Sequence, residues 1–227
     1  LLDRLRRAGM KFAKDYMAAE DLQTNFVDIG PVNKALNMLV CWVAGEEEQF
    51  QRHILRVPDY LWVAEDGMKM QGYNGSQCWD TSFAVQAFME TGLAEEFPLA
   101  VRRAFMYFER TQILSTPVSQ ASDAFRYETS AARERYYRHV SKGGWPFSTS
   151  AHGWPISDCT AEALKAMLLL RRLEAINDWA DAPKMTDERF FDACNVLLTL
   201  QNSDGGFATY ENNRGYGWYE WLNPSEV

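Results

Sequence analysis

The sequence predicts an all-α fold built from helical hairpins, and three observations lead to this prediction. Most segments of the 227 residues carry apolar side chains at helical spacing. Strand signals are sparse, and one helix–turn–helix unit is weakly repeated. The chain is 47% hydrophobic and 14% aromatic, which is enough apolar material for one sizeable core.

The first predicted helices are marked by their start signals. Pro31 suits a first helical turn, where its missing amide hydrogen is not needed. The residues after it form one apolar helical face: Ala35, Leu36, Leu39, Val40 and Val43. Asp80 or Thr81 can cap a second helix that continues through Phe88.

Later segments continue the helical pattern. Apolar spacing predicts three further helices, over residues 98–112, 158–174 and 186–201. Between them, the polar stretch 113–137 is typical of an exposed insertion or linker.

The internal repeat joins a glutamine to a glycine-rich aromatic turn. Gln112 ends one helix and, after a gap, Gly143-Gly144-Trp145 follows; Gln201 ends another and Gly205-Gly206-Phe207 follows. The glutamine amide can bond carbonyls or amides left free at the helix end. Helical hairpins repeated in this way close into a toroid or stack as a solenoid.

Charge and composition exclude some function classes. The net charge of −8 and the pI near 5.0 argue against a nucleic-acid surface. No run of 18 apolar residues indicates a spanning helix, and the charged start of the chain does not resemble a signal peptide. Because the chain lacks an initiator Met, we expect it to be incomplete.

The four cysteines do not form a metal-binding pattern. The cysteines are Cys41, Cys78, Cys159 and Cys194. No two of them have C-x-x-C spacing, so the sequence predicts no metal site. The apolar or aromatic neighbours of Cys41, Cys78 and Cys194 favour small buried thiols, and a reducing compartment is their natural setting.

A candidate proton donor lies before an apolar helix. Asp158 is followed by Cys159, a weak donor that can stabilise its carboxylate, and by Glu162 one helical turn away, which can return a proton. Burial would keep such an acid protonated until it acts. The alternative for Asp158 is a helix N-cap, although Ser157 and Thr160 can also serve, and the alternative for Glu162 is a first-turn carboxylate.

Aromatic residues near this acid can stabilise a carbocation through their π-faces. The candidates are Trp79, Phe147 and Tyr210, although each taken alone is more typical of a core residue. His152 is a possible base, and its alternative is a structural or exposed loop histidine.

At this point the chain strongly resembles the oxidosqualene cyclases of the terpene cyclase/mutase family. The resemblance covers nearly the whole chain except about 113–136, and the repeated turns resemble the Gln–Trp motifs of that family. The matching segments are Ile29 to Leu36, Trp62 to Lys69, Gly75 to Thr81, Asp158 to Glu162 and Asn223 to Val227.

The resemblance implies a larger enzyme with two α/α-barrel domains. Residues 1–227 would form roughly half of its catalytic (α/α)6 barrel. Asp158 would be the proton donor, Cys159 its hydrogen-bond partner and Glu162 its reprotonating group. Trp79 and Phe147 would stabilise cations, and Tyr210 would lie near the final deprotonation. The histidine upstream and the second cysteine downstream that support the acid in this family would lie outside the chain.

The implied reaction converts (3S)-2,3-oxidosqualene into a cyclic triterpenol without a metal or organic cofactor. The resemblance also implies peripheral membrane association at the cytosolic face of the endoplasmic reticulum or of lipid droplets, no nucleic-acid partner, and no particular oligomeric state. Two alternatives remain from the residues. One is a squalene cyclase, but those enzymes carry a D-x-D-D-T motif, and the corresponding residues here, Ile156-Ser157-Asp158-Cys159-Thr160, contain a single Asp. The other is a non-catalytic α-helical repeat fragment.

Overall fold

A computed structural model describes residues 2–114, 131, 135–136, 139–173, 185–212, 218 and 221 of the chain. This part is mostly helical, which confirms the all-α prediction. Its helices are α1 (Leu2–Gln23), α2 (Pro31–Ala44), α3 (Glu47–Arg56), α4 (Gln77–Glu90), α5 (Pro98–Thr111), α6 (Ser157–Leu170) and α7 (Asp187–Thr199). The strands β1 (Leu61–Ala64) and β2 (Gly67–Met70) form a small antiparallel hairpin with Leu61 opposite Met70.

The main hydrophobic core lies around α6, which packs against α4, α5 and α7. Ala163, Met167 and Leu170 follow one another at helical spacing and are fully buried. The small side chains of Cys159 and Ala163 on this face leave room for α4 to approach closely. Burial of a side chain such as Met167 or Leu170 contributes about 2 kcal/mol to the free energy of unfolding.

The two repeated turns have the same hydrogen bond and the same backbone conformation. The side-chain amides of Gln112 and Gln201 donate to the carbonyls of Gly143 and Gly205, at 2.8 and 3.1 Å. The two glycines have φ angles of 97° and 92°, a region that favours residues without a Cβ. The two turns that the sequence paired therefore share this local geometry.

Gln112 additionally connects two neighbouring hairpins. Its amide donates to the carbonyl of Arg189 at 2.9 Å, and its side-chain oxygen accepts a bond from Arg189 Nε at 2.8 Å. Arg189 also forms an ion pair with Glu109 at 2.6 Å. The end of α5 is thereby attached to the start of α7.

The repeated glycines differ in their surroundings, which gives a matched prediction. A Cβ at Gly143 would lie 2.4 Å from the backbone of Asp192, whereas a Cβ at Gly205 would meet nothing within 4 Å. We expect Gly143→Ala to lower the free energy of unfolding by about 2 kcal/mol more than Gly205→Ala, because only the first adds a clash to the shared strain. Urea unfolding of both variants measures the difference, and equal losses would contradict this account.

The helices predicted over 98–112 and 186–201 match α5 and α7 to within two residues, whereas α6 ends at Leu170 and not at 174, and α1 and α3 were not predicted. Helix α4 differs at its start. That helix begins at Gln77, so Asp80 and Thr81 lie within it and the predicted cap was wrong. The carboxylate of Asp80 instead accepts a hydrogen bond from the hydroxyl of Ser76, one turn earlier. Most of the predicted insertion at 113–137 lies outside the described residues, while Ile113 at its start is buried and bonds to Gly143 and Gly144.

Helix α2 has the reverse of its predicted orientation. Leu36 and Val43, from the predicted core face, are 54% and 71% exposed. The inward residues are Lys34, Asn37 and Cys41, which face a buried polar cluster between α1, α2 and α3. Tertiary contacts with polar groups on α1 and α3 thus decide which face of α2 turns inward, and the apolar pattern alone gave the wrong face.

None of the helices in the described ranges combines the length and apolar character needed to cross a bilayer.

Candidate active site

The start of α6 is fixed by both repeated turns. The amide of Ile156 donates to the carbonyl of Trp145 at 3.1 Å, and the amide of Ser157 donates to Thr209 at 3.0 Å. The hydroxyl of Thr160 accepts a bond from the Trp145 amide at 3.0 Å. These bonds hold the first turn of α6 between the loop at residues 143–147 and the loop at residues 205–210.

Asp158 is the second residue of α6. Its carboxylate accepts a hydrogen bond from the amide of Cys159 at 2.6 Å. Ile156 occupies the N-cap position, so Asp158 is not the N-cap. The expectation of a buried acid is also not met in this chain, because Asp158 is exposed. The amides and dipole at this helix end favour a negative charge.

Two buried thiols flank the acid. Cys159 and Cys78 are fully buried in the described structure, and burial followed by the charge of Asp158 raises the pKa of Cys159 above its ordinary range. Burial also raises the pKa of Cys78 to about 12 despite the Ser82 hydroxyl, which acts in the opposite direction. Both side chains therefore remain protonated at neutral pH and can serve as weak donors.

Glu162 lies one turn along α6 from Asp158 and is held from α4. Its carboxylate accepts a hydrogen bond from the amide of Gln86 at 2.6 Å. Gln86 is buried, so its side chain fixes the position of this carboxylate, and the charge of Glu162 also raises the pKa of Cys159. The structure thus brings Asp158, Cys159 and Glu162 together along one side of the helix.

The three predicted aromatics belong to one continuous group. Trp79 stacks on Phe147 with ring centroids 6.0 Å apart, and Phe147 contacts Tyr73 at 4.5 Å. The hydroxyls of Tyr73 and Tyr210 are hydrogen-bonded, and Tyr210 contacts Trp154 at 5.3 Å. We call these five residues the aromatic wall; their spacings are those of favourable ring pairs.

The charge of Asp158 affects two tyrosines of the aromatic wall, Tyr73 and Tyr210. Burial is the main cause of the raised pKa values of Tyr73 and Tyr210, and Asp158 adds to both. Both tyrosines are therefore neutral phenols at pH 7. The acid and the wall share one local environment even though Asp158 itself is exposed.

Sequence reasoning missed Tyr73 and Trp154. Tyr73 stands between Gly72 and Asn74-Gly75, a glycine-flanked aromatic loop like the two that were recognised, so the same signal could have found it. His152 is fully buried, with its ring centroid 6.4 Å from that of Tyr73. Burial lowers the pKa of His152 to about 4, against the effect of the Trp154 and Asp28 backbone, so this histidine is neutral at pH 7.

A carboxyl group, protonated thiols, neutral phenols and a wall of aromatic rings thus lie near the start of α6. The electron-rich faces of such rings can stabilise a cation. The chain is 48% identical over 224 residues to cycloartenol synthase of Dictyostelium discoideum and 44% identical over 231 residues to lanosterol synthase of Mus musculus. Alpha-onocerin synthase of Lycopodium clavatum is 41% identical over 208 residues.

These comparisons confirm the resemblance to the oxidosqualene cyclases. The first two matches cover 98% of this chain and 29% of each relative, and the third covers 91% and 25%. The chain therefore spans less than a third of the length of these relatives. No family model matches the chain.

Proposed function

We propose that this chain is part of the catalytic α/α barrel of a two-domain oxidosqualene cyclase, which converts 2,3-oxidosqualene into a cyclic triterpenol. The observation that carries the proposal is the convergence of the carboxyl of Asp158, the thiol of Cys159 and the aromatic wall at the start of α6. The similarity to cycloartenol and lanosterol synthases along 98% of the chain supports it.

Asp158 protonates the epoxide oxygen in this mechanism. Protonation opens the C–O bond, and the resulting cation is attacked by a double bond of the same substrate. The carboxylate left behind is stabilised by the Cys159 amide, by the helix end and by the buried thiols. Glu162, held by Gln86, returns a proton to Asp158 for the next turnover.

The aromatic wall stabilises the successive cations. Its rings offer electron-rich faces without a lone pair that would capture the cation, and each desolvated contact contributes about 2 kcal/mol. Trp79 and Phe147 act at the ring-forming stages. Tyr210 lies near the final deprotonation, where a neutral base takes the last proton.

A dry cavity requires a cover over Asp158, which is exposed in this chain. Because the chain spans 29% of the cycloartenol synthase, we propose that the remaining sequence of the whole enzyme closes the barrel over this face. Closure removes water from the acid and strengthens its interactions with the wall.

The proposed substrate resides in lipid, so the whole enzyme is proposed to associate with the cytosolic face of the endoplasmic reticulum or of lipid droplets. The exposed apolar side chains of α2 are consistent with a surface that the rest of the enzyme or a lipid phase covers.

The proposal is tested by expressing the complete gene in a cyclase-deficient host and identifying products by mass spectrometry. We expect a triterpenol from supplied 2,3-oxidosqualene and no product from squalene, because a single Asp in Ser157-Asp158-Cys159-Thr160 suits the more basic epoxide. Product from squalene would show the alkene cyclase instead. Absence of product from both substrates, with the enzyme folded, would favour the non-catalytic repeat.

A further inference from the structure

A second cluster of reactive side chains lies away from the aromatic wall, between α1, α2 and α3. His53 from α3 is fully buried, and its Nε2 lies 3.3 Å from Asp21 Oδ2 of α1. Cys41 of α2 is also buried, and one ligand atom from each of these three residues lies within 4.8 Å of the others. The proposed cyclase mechanism does not use them.

The cluster is rich in buried carboxyl groups. Three carboxylates, those of Glu20, Asp21 and Asp28, are buried together, and Lys34 is the buried cation that faces them. Glu20 is well satisfied by the amide of Ile29 and by two asparagine side chains.

Two buried atoms of the cluster also have no hydrogen-bond partner within the described residues. They are His53 Nε2, which is directed toward Asp21, and Asp28 Oδ2. Asp28 Oδ2 lies 3.5 Å from the other ring nitrogen of the same histidine, His53 Nδ1. One ring nitrogen thus faces the Asp21 carboxylate, and the other lies between Lys34 Nζ at 2.8 Å and Asp28 Oδ2 at 3.5 Å.

We propose that Asp21, Cys41 and His53 bind a divalent transition-metal ion of the zinc type. Carboxylate oxygen, thiolate sulfur and imidazole nitrogen are the ligands that zinc prefers. Tetrahedral zinc with ordinary bond lengths places its ligand atoms about 3.4–3.6 Å apart. The Asp21–His53 distance of 3.3 Å is close to this value, and the sulfur must approach by at most about 1.4 Å.

The surroundings supply the second shell that such a site needs. A metal on His53 Nε2 places the ring proton on Nδ1, and Asp28 Oδ2 is positioned to accept it. Lys34, which lies 2.8 Å from His53 Nδ1, then keeps its 2.6 Å bond to the carbonyl of Phe26 and turns toward Asp28. Binding of the ion releases the thiol proton of Cys41.

An entry path also exists. Asp21 and Cys41 line a cavity of about 630 Å³ that is open to solvent and is also lined by Asn37, Phe26 and Glu46. An ion can enter through it, and water can occupy the fourth position. The spacing of the cysteines along the chain did not indicate this site because its three ligands come from three different helices.

Cobalt(II) substitution tests the proposal on the purified full-length protein. Co²⁺ bound to a thiolate gives a sulfur-to-metal charge-transfer band in the near ultraviolet, and we expect this band to saturate at one Co²⁺ per chain and to be displaced by Zn²⁺. Cys41→Ser should abolish the band, and Asp21→Asn should weaken Co²⁺ binding at least tenfold. Cys194→Ser is the matched control, since this cysteine is exposed on α7 and should leave the band unchanged.

The readout does not depend on cyclase activity, so it is separate from the test of the proposed function. A wild-type protein without the band, or a band that persists in Cys41→Ser, would overturn the proposal. If Cys41→Ser does not fold, as judged by circular dichroism, Asp21→Asn decides: unchanged Co²⁺ affinity in that variant rejects the site.

Discussion

Replacing Asp158 by asparagine is expected to lower the turnover of 2,3-oxidosqualene by the full-length enzyme at least about a thousandfold. An amide occupies the same volume but cannot release a proton to the epoxide, and general acids contribute a factor of about 10²–10⁴. A thousandfold loss corresponds to about 4 kcal/mol of transition-state stabilisation. Single-turnover assays with radiolabelled substrate measure the loss.

Folding should be unaffected by this change. Within the described residues, the Asp158 side chain accepts a local hydrogen bond from the Cys159 amide, which an asparagine oxygen can also accept. Asp66→Asn, at the exposed turn of the β1–β2 hairpin, is the control and should retain full activity. An Asp158→Asn enzyme with more than a tenth of the wild-type rate would remove this residue from the role of acid.

Trp145→Ala is expected to destabilise the chain by about 4 kcal/mol, the largest effect on folding that we predict. Trp145 is 0% exposed, packs in the main core and donates from its indole nitrogen to the carbonyl of Phe108 at 3.0 Å. Its main chain also binds Ile156 and Thr160, so the ring sits where the first turn of α6 is fixed.

Trp42→Ala is the matched control. Trp42 is 62% exposed on α2, so its truncation should change the free energy of unfolding by less than about 1 kcal/mol. Urea titrations followed by circular dichroism measure both variants. Similar losses for the two tryptophans would mean that the core around α6 is not the main source of stability.

Local sequence signals were sufficient for the helices around α6. Pro31 and Pro98 begin helices as expected, and the apolar spacing of α6 agrees with its burial at Ala163 and Met167. The glutamine–glycine turns were also predictable, because a helix end must satisfy its own carbonyls wherever it lies in the fold. These features depend on neighbours close in sequence.

Features that depend on distant neighbours were not predictable. Which face of α2 turns inward is decided by His53 and Asp21 on other helices, and the apolar periodicity of α2 contains no information about them. The exposure of Asp158 depends on which parts of the structure cover the start of α6. The contact of Tyr73 with Tyr210 joins residues that are 137 positions apart. The chemistry of the site was visible in the residue types, whereas its enclosure was not.

The central position of Tyr73 affects how mutational scans of this chain must be designed. Its ring contacts Phe147 and its hydroxyl bonds Tyr210, so a truncation at either neighbour also removes a contact of Tyr73. Single substitutions at Phe147 and Tyr210 therefore do not report independent contributions, and their costs should fail to sum. Double-mutant cycles that combine substitutions at Phe147 and Tyr210, each made in the presence and in the absence of Tyr73, are needed to assign product outcomes to individual rings.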